Sequence, residues 1–89
     1  MKILFLGPFK KSQKKIIKFL RKSGEKVIQK SSKLNINDKY LKNSEFIISY
    51  GYKHIINNKI LKKFQNNAIN LHISYLPWNK GAHPVFWSF

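Results

Sequence analysis

Asn70 and His72 are the two residues whose types and spacing suggest chemistry. They fall in an apolar stretch typical of a β-strand, and side chains two apart on a strand point to the same face. An amide NH₂ can donate a hydrogen bond to a carbonyl oxygen as it becomes an oxyanion, and an imidazole can move protons near neutral pH. The pair therefore suits acyl transfer, although spacing alone favours a plainer alternative, a strand-end pair with satisfied hydrogen bonds and no catalytic role.

Other kinds of catalytic or metal site find little support in the sequence. The chain has no cysteine, which excludes a disulfide framework and a thiolate site. Ser74 has no identifiable base or acid partner, so a serine-hydrolase triad is not supported. The three histidines have neither regular spacing nor a nearby cluster of carboxylates, and we therefore expect no metal site.

Short apolar runs alternate with amphipathic stretches along the chain. We predict strands at 2–6, 26–29, 45–50 and 68–73, and helices at 12–22, 38–42 and 58–64. Strands that alternate with helices are typical of an α/β fold with a mostly parallel sheet. Ligands in such sheets usually bind at the carboxyl ends of the strands, where Asn70 and His72 would lie.

The helix boundaries and faces can also be predicted. Ser12 and Asn58 are the expected N-caps of the first and third helices, and Ser23-Gly24 offers a stop for the first. The spacing of the apolar residues predicts that one face of the first helix packs on the sheet. That face would consist of Ile16, Ile17, Phe19 and Leu20.

The formal charge of +15 is the most prominent feature of the composition, with 18 Lys and Arg against 3 Asp and Glu. Such an excess can attract phosphate backbones or anionic substrates. Nearly all the basic residues are Lys, whereas Arg is better suited to binding phosphate through two parallel hydrogen bonds. The abundance of Ile and Asn is typical of an AT-rich coding sequence, which offers a compositional explanation for the many lysines. A small basic nucleic-acid-binding module is the alternative function, but the chain lacks a recognisable recognition motif.

Aromatic residues cluster at the end of the sequence, and such residues can stack on nucleic-acid bases. We predict instead that they begin a helix that packs on the sheet. We expect the isolated chain to be unstable or to self-associate, because these side chains would seek a partner. They are Phe86, Trp87 and Phe89.

The segment Asn70-Leu71-His72-Ile73-Ser74-Tyr75-Leu76-Pro77, followed by Gly81, resembles the Asn-x-His-x-Ser-x-Leu-Pro…Gly signature of folate-dependent formyltransferases. This family includes enzymes that act on glycinamide ribonucleotide, methionyl-tRNA and amino sugars. The stretch from Ile47 to Ile56 is similar to the third strand of the family and the loop that follows it. The resemblance covers most of residues 1–89, but only the N-terminal part of a family catalytic domain.

The resemblance implies a Rossmann-like α/β fold and transfer of a formyl group from 10-formyltetrahydrofolate to a substrate amine. Asn70 would hold the formyl oxygen, and His72 would help to move the proton. The loop after the third strand would contact the pterin ring through its backbone, and the segment after the last strand would shape the site. The loop residues are Tyr52, Lys53, His54, Ile55 and Ile56, and the site-shaping residues are Ser74, Pro77, Gly81 and His83.

The resemblance also leads to expectations about the acceptor and the rest of the site. The segment Gly7–Ser12 lacks the glycine-rich loop with which the ribonucleotide enzymes hold phosphate, so an amino sugar or another small amine fits better, and methionyl-tRNA stays open. The family's histidine-orienting Asp would lie beyond Phe89, so we expect the 89 residues alone to lack it and to need a C-terminal half for activity. No apolar run approaches the roughly 20 residues that span a bilayer, and we expect a cytoplasmic location.

Overall fold

The computed structural model describes residues 1–72 and 83–86, and for His72 and residues 83–86 it describes the backbone alone. All four predicted strands and all three predicted helices are present, and a short fifth strand follows them. In chain order the elements are β1 (Lys2–Leu6), α1 (Lys11–Lys22), β2 (Lys26–Lys30), α2 (Lys39–Lys42), β3 (Phe46–Tyr50), α3 (Asn58–Lys63), β4 (Ala68–His72) and β5 (His83–Phe86).

The strands form one sheet in the order β2-β1-β3-β4-β5. The first four strands are parallel, and β5 pairs with β4 in the antiparallel direction. This arrangement confirms the α/β, Rossmann-like fold with a mostly parallel sheet. The strand order changes direction at β1, with β2 on one side and β3 on the other, and the crevice at such a reversal is where open α/β sheets usually bind ligands.

The two faces of the sheet bury separate apolar clusters, because side chains alternate along each strand. One cluster lies beneath α2, α3 and the loop that precedes α2. We call it the α3-side core, and its strand residues are Leu4, Leu6, Ile47 and Ala68. The opposite cluster lies beneath α1, and we call it the α1-side core. Its strand residues include Ile3, Phe5, Val27 and Ile48.

Helix α1 follows the predicted amphipathic pattern with two corrections. Ile17 is buried, and Ile16 and Leu20 pack against the α1-side core, but Phe19 is 69% exposed and does not belong to the apolar face. Ser12 is not the N-cap, since the helix begins at Lys11 and the Ser12 hydroxyl donates to Oε1 of the neighbouring Gln13 at 2.7 Å. The predicted stop is correct, because Ser23 is the C-cap and is followed by Gly24.

The prediction of a helix that begins at Phe86 is wrong. Phe86 is the last residue of β5 and lies opposite Ile69 of β4. An added antiparallel strand satisfies backbone N–H and C=O groups along the edge of β4 that would otherwise need other partners. Pro84 fits such an edge position, because a proline there removes no bond from the middle of a sheet. Trp87 and Phe89 lie outside the described residues.

No helix in the described part of the chain is long and apolar enough to cross a membrane. Such a helix would need about 20 consecutive apolar residues, whereas α1, the longest of the described helices, has 12 residues and carries lysines along its length.

Gly7 closes β1 against the backbone at the end of β3. A Cβ atom at this position would lie 2.2 Å from the carbonyl oxygen of Tyr50, far inside van der Waals contact. The N–H of Gly7 also donates to the carbonyl oxygen of Lys30 at 3.0 Å, which ties the same point to the end of β2. The carboxyl ends of three neighbouring strands therefore meet at a position that only glycine can occupy without displacement.

We predict that Gly7→Ala lowers the free energy of unfolding by about 2 kcal/mol, because the added methyl forces β1 and β3 apart. Gly24→Ala is the matched control. Gly24 has a positive φ of 92°, but within the described residues no atom lies closer than 4 Å to the place that its methyl would take. Only backbone strain of about 1 kcal/mol is therefore expected there. Urea unfolding of both variants measures the free energy of unfolding. An equal decrease in the two variants would show that the close approach at Gly7 does not affect stability.

Candidate active site

Asn70 lies near the carboxyl end of β4, and its neighbour across the sheet is Ser49 of β3. The two residues are register partners in a parallel pair, so their side chains share one face of the sheet. Ala68, two residues before Asn70, belongs to the α3-side core, which places Asn70 on that face. The amide is half-buried and lies where the apolar layer gives way to the edge of the sheet.

A cavity of about 350 Å³ opens beside Asn70. Its walls come from β3, β4, the loop after β3 and the start of α3. The lining residues are Ser49, Tyr52, His54, Ile55, Ile56, Asn58, Leu61 and Asn70. The structure thus brings Asn70 together with four of the five loop residues that the resemblance singled out, in a pocket lined by both polar and aliphatic side chains.

Lys53 is the loop residue that lies elsewhere. It lines a second cavity of about 280 Å³ together with Gly7, Gly51 and Ser31. This cavity sits where the loops after β1 and β3 meet, at the reversal in strand order. Tyr52 contributes to both cavities, and the loop after β3 therefore forms the partition between them.

Tyr52 anchors this loop to the chain segment before α2. Its hydroxyl donates to the carbonyl oxygen of Ser32 at 2.6 Å, and its ring meets the ring of His54 edge-on at 5.3 Å. Burial of the phenol raises the pKa of Tyr52 above its usual value. The phenol thus stays protonated at neutral pH and remains a hydrogen-bond donor, and the ring contact orients His54 at the cavity.

Asp38 fixes the loop between β2 and α2, which contains Ser32, the acceptor of the hydrogen bond from Tyr52. Its carboxylate accepts from Nζ of Lys30 at 2.8 Å and from the N–H of Tyr40 at 3.0 Å, where it caps α2. The hydrogen bond from Lys30 is the main cause that holds the pKa of Asp38 below its usual value. The pair fastens the start of α2 to the end of β2, and Ser32 lies in the loop between these two points.

Helix α3 has a different N-cap from the one that the sequence suggested. Asn57, not Asn58, is the N-cap, and its Oδ1 accepts from the N–H of Lys59 at 2.8 Å. Asn58 lines the cavity instead. Asx capping satisfies one of the unpaired N–H groups in the first turn, and two adjacent asparagines offered no basis for choosing between them.

Ser49 is a site residue that the sequence interpretation did not identify. It is only 5% exposed, and it lines the cavity beside Asn70. A signal was present in the sequence: in the run Phe46-Ile47-Ile48-Ser49-Tyr50, Ser49 shares a face with the fully buried Ile47. A hydroxyl in an apolar layer usually has a polar neighbour, but only the register of β3 and β4 identifies that neighbour.

The remaining predicted site residues cannot be placed with their side chains. His72 ends β4, and its backbone lies opposite that of His83 in β5, but only the backbone of these two residues is described. Ser74, Pro77 and Gly81 lie outside the described residues altogether. Their roles therefore stay predictions.

A basic groove lies on another part of the molecule, between α1 and the outer edge of β2. Its volume is about 940 Å³. Arg21 bridges the two elements, since Nη2 donates to the carbonyl oxygen of Val27 at 2.9 Å. The polar rim consists of Lys14, Lys18, Arg21, Lys22 and Gln29. This groove is the feature of the described chain on which the nucleic-acid alternative would have to rest.

Comparison with known proteins identifies the family. A family model described as formyl transferase matches residues 3–89. The chain belongs to the formyl transferase family. Membership confirms the resemblance seen in the sequence and makes the chain a member of a family of enzymes. It also connects the cavity at Asn70 with a fold whose relatives perform formyl transfer.

Two relatives give this formyl transferase chain its context. It is 37% identical over 60 residues to the methionyl-tRNA formyltransferase of Finegoldia magna, an alignment that covers 61% of the chain and 19% of that protein. It is 50% identical to the formyltransferase PseJ from Anoxybacillus kamchatkensis, with a TM-score of 0.75 over 94% of the chain and 43% of PseJ. The chain thus spans less than half the length of either protein.

The PseJ structure was determined in complex with UDP-4,6-dideoxy-4-formamido-L-AltNAc and tetrahydrofolate. Those ligands are a formylated nucleotide-linked sugar and a folate, so that enzyme holds both kinds of molecule that a folate-dependent formyl transfer to an amino sugar involves.

We predict that Tyr52→Phe loosens the loop after β3. Loss of the bond to Ser32 removes about 1 kcal/mol of local stability, and amide hydrogen exchange over residues 52–56 should become faster by about fivefold. Tyr50→Phe, which removes a hydroxyl from the opposite face of the sheet, serves as control. Unchanged exchange in Tyr52→Phe would contradict the anchoring role.

We predict that Asp38→Asn lowers the free energy of unfolding by about 1–2 kcal/mol at pH 7. An unfolded Asp titrates near about 3.9, and the folded value is lower. The stabilisation is therefore present above the unfolded pKa and is lost as pH falls through the folded pKa.

Urea unfolding from pH 7 downward should show the wild-type chain and Asp38→Asn converging at acidic pH. Glu45→Gln is the control, because Glu45 is exposed where it accepts from the N–H of Lys2. A constant difference between wild type and Asp38→Asn at every pH would contradict the assignment.

Proposed function

We propose that residues 1–89 form the N-terminal part of a formyltransferase catalytic domain that binds 10-formyltetrahydrofolate and takes part in transfer of its formyl group to a substrate amine. The observation that carries the proposal is the cavity at Asn70, where a half-buried amide faces the same space as the loop after β3. Membership in the formyl transferase family supports this interpretation of the cavity.

The side chains that line the cavity suit the chemistry of the donor. Its aliphatic wall, which includes Ile55, Ile56 and Leu61, offers apolar surface for a flat ring system. Ile55 is 92% exposed, and an aliphatic side chain held at the mouth of a pocket is placed to cover a ligand. Small-molecule sites commonly combine such walls with a few polar groups that fix orientation.

The chemistry assigned to the chain's own residues follows from the polar side chains that line the cavity and end β4. When bound, 10-formyltetrahydrofolate supplies the formyl group. The NH₂ group of Asn70 donates to the formyl oxygen and stabilises the negative charge that develops there as the amine attacks. His72, two residues further along β4, is assigned the transfer of the proton from the attacking amine toward the departing nitrogen.

The acceptor that we propose is an amino sugar carried on a nucleotide. PseJ is 50% identical over nearly the whole chain, whereas the methionyl-tRNA enzyme is 37% identical over a shorter stretch. PseJ holds a formylated UDP-sugar in its structure. The family match also favours formyl transfer over the nucleic-acid alternative, for which the described residues offer the basic groove alone.

We predict that the folded chain binds 10-formyl-5,8-dideazafolate, a stable formyl folate, and that Asn70→Ala weakens this binding by about fivefold, the equivalent of one hydrogen bond. Asn43→Ala is the matched control, because Asn43 caps the end of α2 near the amino ends of the strands, away from the cavity. Isothermal titration at two salt concentrations gives the dissociation constants, and circular dichroism verifies folding.

The same titration separates the alternatives. Binding that changes little with salt supports a folate pocket, whereas a folded chain that fails to bind the probe contradicts the proposal for these 89 residues. Affinity for single-stranded RNA that falls steeply with salt would instead favour the nucleic-acid module. For the acceptor, mass spectrometry of the chain supplied with a C-terminal half should detect formylation of a UDP-linked 4-amino-4,6-dideoxy sugar rather than of methionyl-tRNA, and the reverse preference would contradict the sugar assignment.

A further inference from the structure

β2 is an edge strand, because its one neighbour in the sheet of the described chain is β1. The N–H of Lys26 donates to the carbonyl oxygen of Met1 at 3.0 Å, and the carbonyl oxygen of Lys30 accepts from the residue after β1 at 3.0 Å. Backbone groups of alternate residues point to opposite sides of a strand, so those of Val27 and Gln29 point outward. Such an edge offers donors and acceptors to a further strand.

The two faces of the sheet offer different surfaces beside this edge. On one face, Lys14, Lys18 and Lys22 of α1 line the basic groove. These lysines are four residues apart, so they form a row with a spacing of about 6 Å along the helix. On the opposite face, Ile28 is 41% exposed at the middle of β2, and its register partner Leu4 belongs to the α3-side core. The edge is therefore flanked by cations on one face and by an exposed apolar side chain on the other.

The chain's own carboxylates do not neutralise the lysine row. The sequence has three acidic residues, and each has another partner. Asp38 pairs with Lys30, and Glu25 pairs with the N-terminal amine. Glu45 accepts from the N–H of Lys2. The positive charge along the groove is thus available to carboxylates of a partner, and complementary charge selects partners at an interface.

A second copy of this chain does not suit the groove. Each copy carries a formal charge of +15, and lysines at a sheet edge, here Lys26 and Lys30, disfavour pairing between copies. The three acidic residues are also too far apart in the sequence to form an acidic segment. The complementary charge must therefore come from a different molecule.

An extended peptide suits the edge better than a nucleic acid does. A phosphate backbone would match the lysine row, but it would leave the outward backbone groups of Gln29 without strand partners. The one arginine of the sequence, which is the side chain better suited to phosphate, is already occupied, since Nη2 of Arg21 donates to the carbonyl oxygen of Val27 at 2.9 Å. An added strand satisfies the edge and directs alternate side chains to the two faces.

We propose that the edge of β2 and the basic groove bind an extended segment of another protein in which acidic and apolar residues alternate. The segment adds a strand through the N–H of Val27 and both backbone groups of Gln29. Its carboxylates lie along the lysine row of α1, and its apolar side chains pack on Ile28 on the opposite face. This surface lies apart from the cavity at Asn70, so the inference goes beyond the proposed function and does not depend on it.

The test uses the folded 89-residue chain and a fluorescently labelled peptide with blocked ends, Glu-Val-Glu-Val-Glu-Val-Glu, and anisotropy measures the dissociation constant. Lys18→Glu combined with Lys22→Glu should weaken binding by about tenfold, because two attractions become repulsions. Lys59→Glu combined with Lys62→Glu is the matched control and should have little effect. It changes the net charge equally, and each pair includes one lysine in the last turn of its helix, but α3 packs on the other face of the sheet.

Hydrogen exchange tests the strand geometry. When the peptide is bound, the N–H groups of Val27 and Gln29 should exchange about tenfold more slowly, because an added strand protects them. The N–H of Lys26 already donates to Met1, and its exchange should change little. A peptide with Gln in place of every Glu should bind more weakly than the acidic peptide.

Four results would overturn the inference. They are a folded chain that does not bind the acidic peptide, equal binding of the acidic and Gln peptides, equal weakening by the two double substitutions, and unchanged exchange at Val27 and Gln29. Oligouridine provides the nucleic-acid comparison. If it binds more tightly than the peptide and loses affinity in the variant with Lys18→Glu and Lys22→Glu, the groove is a nucleic-acid site and the inference is wrong.

Discussion

The candidate site depends on the parallel pairing of β3 with β4. Because the two strands run in the same direction, the loop after β3 and the last residues of β4 meet at one edge of the sheet. The register then sets Ser49 beside Asn70 and places the loop residues around the same cavity. A slip of one residue would turn Asn70 to the α1 side and expose an apolar side chain to the cavity, so the apolar clusters on the two faces also protect the geometry of the site.

The loop after β3 is held by close backbone packing as well as by side chains. Gln13 of α1 is buried, and its Nε2 donates to the carbonyl oxygen of Tyr50 at 3.1 Å. A Cβ atom at Gly51 would lie 3.1 Å from that same nitrogen, and Gly51 has a positive φ of 70°. Helix α1 and the loop therefore approach each other at a point where glycine is required. This contact stiffens the inner end of the loop, and the hydroxyl of the next residue, Tyr52, binds the carbonyl oxygen of Ser32, so two successive loop residues are held by different parts of the chain.

The sequence predicted those parts of the molecule that local patterns encode. The apolar run Lys2–Leu6 predicted β1 without error, and the alternation of runs and helices predicted the parallel sheet. The neighbour of Asn70 could not be predicted, because no local pattern states which strand pairs with which, or in what register. The same reason explains why β5 was missed: Phe86 is apolar in either a helix or an edge strand, and only its pairing with Ile69 decides. The error at Asn58 arose because two adjacent asparagines competed for one cap, whereas α1 begins one residue before Ser12 without any side-chain cap.

The large positive charge does not indicate which acceptor the enzyme uses, because every candidate ligand is an anion. The proposed donor carries the glutamate carboxylates of folate, a nucleotide-linked sugar carries a diphosphate, and a tRNA carries many phosphates. A field of +15 would raise the encounter rate with all three, so the charge cannot distinguish an amino-sugar enzyme from a tRNA enzyme. The described walls of the cavity at Asn70 contain no lysine, unlike the surface of the chain. Lys30, near the loop that Tyr52 contacts, is paired with Asp38. In the described part of the chain, the charge excess therefore belongs to the surface and not to the walls of the proposed donor site, and it carries no argument for either acceptor.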